Sequence, residues 1–108
     1  EQWGVEVSSI RLSAYGRMID FRYRVIDPEK AAVLGNLENK AYLIDQATGV
    51  ELRVPSSAKI GSLRQASAKL EAGRVYFMIF ANSGLVVKHD SKVTVVVGDF
   101  RAENLTVQ

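Results

Sequence analysis

The sequence predicts an all-β domain built as a two-sheet antiparallel sandwich of about seven strands. Three observations predict it. Apolar residues recur at every second position along most of the chain, while the longer helical period is nearly missing. The phase of that alternation slips by one residue at Ser8-Ser9, as happens when a strand bulges or passes from one sheet to another. Turn-forming residues punctuate the strands at short intervals, with little helix between them.

In residues 3–13, Trp3, Val5 and Val7 share one parity, and Ile10 and Leu12 the other. Ser13-Ala14-Tyr15-Gly16 makes a tight connection into residues 18–26. There Ile19, Phe21, Tyr23 and Val25 define a buried face, and Asp20, Arg22 and Arg24 a wet one. A short helical turn is expected near 28–34, with Asp27 as N-cap, Pro28 at the first helical position and Gly35 closing it. So short a helix must pack against something, and an open end of the sheets is the natural place.

Residues 40–46 and 50–54 read as a hairpin, turned by Gln46-Ala47-Thr48-Gly49 with Gly49 free to take positive φ. Segment 55–73 is the longest without strand character, and such loops are usually functional or locally folded. Residues 74–81 are apolar at both parities, which predicts a central strand covered on both faces. A short extra strand is expected at Leu85–Lys88 and a turn at His89-Asp90-Ser91. Lys92–Gly98 and Phe100–Val107 are the last two strands, separated at Gly98-Asp99.

The 108 residues suit one domain, 1–108, with no linker, repeat or low-complexity tract inside it. Seven short strands at this length resemble the architecture of an immunoglobulin-like or fibronectin-like sandwich. The resemblance stops at architecture, because the chain has no cysteine and its only tryptophan is Trp3. The alternative is an OB-type barrel with a helix over residues 59–71 between its third and fourth strands.

Composition narrows the chemistry. Absence of cysteine removes disulfides, thiolate metal sites and cysteine nucleophiles. A net charge of +2 argues for neither nucleic acid nor an anionic membrane as an obligate partner. Apolar runs such as Val75–Ala81 are far short of the roughly 20 residues of a membrane-spanning helix. The sequence opens on Glu1 rather than Met, which favours a processed end or a segment of a longer precursor, and with it a periplasmic or cell-surface setting.

Candidate sites are few. His89 is the only histidine, so it cannot assemble a zinc or copper site alone, and its neighbours Asp90 and Ser91 have turn composition. The carboxylate pairs Asp27/Glu29 and Asp99/Glu103 have capping and turn roles available to them. Asn36, Glu38 and Asn39 form an oxygen-rich loop with a single charged ligand, short of a calcium motif. No phosphate-binding glycine motif occurs.

The one mild clustering is basic. Arg53, Lys59, Arg64, Lys69 and Arg74 lie in segment 53–74 against Glu71 alone, and Arg22 and Arg24 add a basic strand face. Arg22, Arg24, Lys59, Arg64 and Lys69 are therefore the candidate binding residues for an acidic partner. Tyr15 and Tyr42 are the aromatics placed for exposure, since Tyr23 shares the inward parity of Phe21.

The expectation is a non-catalytic binding or structural module of an exported bacterial-type protein, with no cofactor and no metal. Its partner would be another protein, met through a strand edge or the 55–73 loop, or a second copy paired edge to edge. A single-stranded nucleic-acid-binding OB-type domain and an enzyme of unknown class are the alternatives.

Overall fold

The computed structural model describes residues 4–35, 40–54, 56–57, 61–62, 70–82 and 84–108. Seven strands form two antiparallel sheets. One sheet has the order β1 (Val5–Ser13), β2 (Met18–Val25), β7 (Val75–Ala81). The other has the order β4 (Glu51–Arg53), β3 (Ala41–Asp45), β8 (Lys92–Val97), β9 (Phe100–Thr106). Two further strands of two residues each, β5 (Ser56–Ser57) and β6 (Gly61–Ser62), pair with one another. They lie in the segment expected to be free of strand, and β6 falls within 59–71, where the barrel alternative required a helix. That alternative is corrected, because the seven strands hydrogen-bond into two separate sheets.

Alternation puts the core between the sheets. Ile19, Phe21, Tyr23 and Val25 of β2 and Tyr76, Met78 and Phe80 of β7 meet Leu43 of β3 and Val93, Val95 and Val97 of β8. At Ser8 the pairing of β1 with β2 shifts register between Val7 and Ser9, so Val5 and Ile10, of opposite parity, both reach the core. The phase slip in the sequence is this bulge.

The helix α1 (Pro28–Gly35) follows β2 and packs its apolar residues onto the core. Asp27 caps it: Oδ1 accepts from the Glu29 amide at 3.1 Å, and the Asp27 carbonyl accepts from Ala31 at 3.0 Å. Ala31 and Leu34 are fully buried. Gly4 fits beneath the helix start, at φ +70, and its carbonyl accepts from Ile26 and Asp27 at 2.7 and 3.0 Å. A Cβ there would stand 2.5 Å from the Asp27 carbonyl oxygen, so only glycine fits.

Two expectations about strands are corrected. Residues 75–81 form an edge strand of the three-stranded sheet, not a central one. Period-2 reading detects that both faces are apolar, yet it says nothing about whether both hydrogen-bonding edges are filled. The strand buried on both faces is instead β8, flanked by β3 and β9, where Val93 through Val97 are all buried. Leu85–Lys88 is not a strand either. Leu85 lies at φ +54, in the left-handed region, and the stretch is held as a loop by the Asn82 side chain.

The chain ends by changing sheets. Gln108 accepts from the Leu12 amide at 2.9 Å and donates to the Ile10 carbonyl at 3.0 Å. This is a parallel pairing pattern against the outer edge of β1.

Candidate functional site

Of the candidate binding residues proposed from the sequence, Arg22 and Arg24 are among the described residues. Arg22 and Arg24 stand on the outward face of β2, both exposed. Arg22 makes a two-pronged ion pair with Asp20 at 3.1 and 3.2 Å. That hydrogen bonding, with the charge of Asp20 behind it, holds the Arg22 guanidinium above its ordinary range. Arg24 faces Glu6 across the strand pair. Lys59, Arg64 and Lys69 lie outside the described residues, as do Asn36, Glu38 and Asn39.

The same neutralisation recurs elsewhere. Arg53 pairs with Glu51 at 3.5 Å, Arg74 with Glu71 at 3.6 Å, and Arg101 with Glu103 at 3.3 Å. Arg74 also sits over the Tyr76 ring, 5.5 Å from its centroid. Three of these pairs, Asp20/Arg22, Glu51/Arg53 and Arg101/Glu103, are two residues apart on a strand. Strand geometry puts such residues on one face, so the pairing was readable from their spacing. An anionic ligand at any of these arginines must compete with a carboxylate already in place.

The capping and turn roles of the other candidates are visible. Asp27 caps α1, as described above. Asp99 is exposed in the two-residue β8–β9 turn, where Gly98 takes φ +58 at the first central position. His89 is exposed, with Nε2 3.5 Å from Asp90. The Ser91 hydroxyl accepts from the Lys88 amide at 2.9 Å, and the Ser91 amide donates to the Lys88 carbonyl at 3.0 Å. These residues build a turn. Among the described residues, no three of His, Cys, Asp and Glu come together as a metal site.

The feature that stands out lies at the end opposite the helix. Three connections meet there: the β1–β2 turn, the β3–β4 turn and the loop from β7 to β8. Asn82 joins the first to the third. It is fully buried, and its Nδ2 donates to the carbonyls of Gly16 and Val87, each at 2.8 Å. Its Oδ1 accepts from the Val87 amide at 3.1 Å. Its own amide donates to the Arg17 carbonyl at 2.8 Å, and its carbonyl accepts from Leu85 at 2.9 Å. Gln46 links the second turn to β9. Its Oε1 accepts from Thr94 Oγ1 at 3.1 Å and from the Asn104 amide at 2.9 Å, and its Nε2 donates to Asn104 Oδ1 at 3.0 Å.

These braces hold an unusual backbone. Among the described residues, five that are not glycine have positive φ: Ala14 at 51°, Tyr15 at 59°, Leu85 at 54°, Asp90 at 72° and Asn104 at 58°. All five are at or next to this end. Asp and Asn tolerate the left-handed region, but for Ala, Tyr and Leu it is strained by roughly 1–2 kcal/mol each. The strained residues also present apolar groups to solvent. Tyr15 is fully exposed and Leu85 is 47% exposed. Leu85 lies against the residue that follows Tyr15, since a Cβ on Gly16 would stand 3.8 Å from the Leu85 side chain. Arg17 and Lys88 flank them, both exposed.

Of these residues the sequence pointed to Tyr15 as an exposed aromatic. Leu85 and Asn82 were missed. Neither the left-handed conformation of a leucine nor the burial of an asparagine leaves a mark in the local pattern. Compared with known proteins, the chain matches no family model, no curated protein and no solved structure.

Proposed function

We propose that the protein is a non-catalytic binding module that engages another protein through the loop end carrying Tyr15 and Leu85. The observation that carries the reading is the gathering of strained, exposed apolar residues at one braced end. Strain of this kind persists only where surrounding structure imposes it, and it concentrates at binding and switching sites. Loops on a rigid sandwich are a usual seat of recognition. A tyrosine beside an arginine is the composition of interface hot spots.

The immunoglobulin-like character belongs to the same proposal. Its support is the strand order β1-β2-β7 facing β4-β3-β8-β9, a seven-stranded sandwich in which sequence-distant strands lie side by side. So does an extracytoplasmic setting, which the lack of cysteine leaves open and which a reporter fusion to the full-length protein would test.

The test of binding is site-specific photocrosslinking in cells that make the protein. A photoreactive residue at position 15 should yield one discrete adduct, and the same residue at position 101, on the outer face of the larger sheet, should not. Adducts at 101 with none at 15, or no adduct at either, would overturn the reading.

A further inference from the structure

We infer that the partner of this loop end is an acidic protein surface containing an apolar pocket, an inference that rests on the binding reading above. Its basis is the charge left uncompensated beside the apolar tip. Arg22, Arg53, Arg74, Arg101 and His89 each have a carboxylate within 4.0 Å. Arg11 and Arg24 face Asp20 and Glu6 in the strand register, and the Lys92 ammonium donates to the Thr106 hydroxyl. At the loop end Lys92 meets only a hydroxyl, and Asp90 only His89, which is charged only when protonated; among the described residues there, Arg17 and Lys88 have neither an ion pair nor a facing group.

The braces fix where those two charges stand. Asn82 bonds to the backbone of Arg17 and to both backbone groups of Val87, the residue before Lys88. Arg17 and Lys88 therefore issue from two segments clamped to one buried side chain, with Tyr15 and Leu85 beside them. A preorganised arrangement of this sort loses little entropy on binding. Complementary charge across it supplies orientation and association rate. The tip projects outward, so its complement is concave. One tyrosine, one leucine and two cations are too little to hold a bilayer, where lasting attachment takes a long apolar element or chain together with a polybasic patch.

The test pans a library of random displayed peptides on the wild-type chain, on Tyr15→Ala, and on the double variant Arg17→Glu/Lys88→Glu. These are surface changes, and thermal melts confirm that each variant folds. The expected result is a wild-type consensus of Asp and Glu around an apolar residue. Tyr15→Ala should lose it, and the double variant should select Lys and Arg instead. A synthetic peptide of that consensus should bind the double variant roughly tenfold or more weakly at low salt, with the gap narrowing at high salt. A consensus that depends on Tyr15 but has no acidic bias overturns the acidic inference and leaves the loop-end reading standing. Peptides indifferent to Tyr15→Ala, or no enrichment at all, count against both. Retention on vesicles of equal phosphatidylcholine and phosphatidylglycerol, lost in the double variant and unaccompanied by peptide enrichment, would overturn the proposal in favour of a membrane.

Discussion

Asn82 offers the sharpest test of how this fold is held. Asn82→Ala removes three side-chain hydrogen bonds and leaves the Val87 amide, the Val87 carbonyl and the Gly16 carbonyl without that partner. The two bonds to Val87 are buried, and leaving such groups unsatisfied costs about 1–2 kcal/mol each. The bond to Gly16 is partly buried and contributes about 1 kcal/mol. The sum is roughly 3–5 kcal/mol, a large share of the 5–15 kcal/mol typical of a domain. Urea unfolding followed by circular dichroism should show the unfolding free energy fall by that amount, as a lower midpoint at unchanged slope. Thermal melting should drop by roughly 15–30 °C.

Asn82→Asp separates hydrogen-bond polarity from shape. It keeps the acceptor for Val87 but turns an oxygen toward two carbonyls, in a fully buried position. Desolvation and those carbonyls both push the new carboxyl above its unfolded value. A carboxyl raised in the folded state binds more protons there than in the unfolded chain, so its penalty shrinks as pH falls through the folded value. The Asp variant should therefore be less stable than the Ala variant at neutral pH and regain stability on mild acidification. If Asn82→Ala costs under 1 kcal/mol, or if the Asp variant matches wild type at pH 7, the brace is not what holds this end.

Gly4→Ala should destabilise by about 3 kcal/mol, since it adds backbone overlap to a positive φ; equilibrium denaturation reads this directly. Replacing Ala14 and Tyr15 by Asn and Gly should raise stability by about 1 kcal/mol or more, because those residues suit a left-handed turn; chemical denaturation checks it. Gln46→Ala should cost roughly 1–3 kcal/mol and speed amide exchange at Asn104, whose amide loses its acceptor. Asp27→Ala should cost about 1 kcal/mol through loss of the cap.

Most of the architecture was legible because strand alternation is a local signal with a burial consequence. The shift at Ser8-Ser9, the buried parity of Phe21 and Tyr23 and the cap at Asp27 each follow from side-chain spacing. Which strand sits at a sheet edge did not, because it depends on pairing between residues far apart in sequence. Val75–Ala81 reads as apolar on two faces yet lies at an edge, whereas the central strand is Lys92–Val97. The site was less legible still. Arg22 was chosen for its charge, yet Asp20 two residues earlier cancels most of its appeal. Tyr15 was visible as an exposed aromatic, whereas the buried amide that positions its turn is 67 residues away, the interval from 15 to 82 in the numbering.

The parallel pairing of Gln108 with β1 has a mechanical meaning. β1 runs from the helix end to the loop end, and β9 and Gln108 run the same way. Gly4 and Gln108 therefore lie at opposite poles, and tension applied between them drags β1 and the last residues past each other along their length. The hydrogen bonds of β1 to β2, of β9 to β8 and of Gln108 to Ile10 and Leu12 would then be strained side by side in shear, sharing the load instead of opening one after another like a zip.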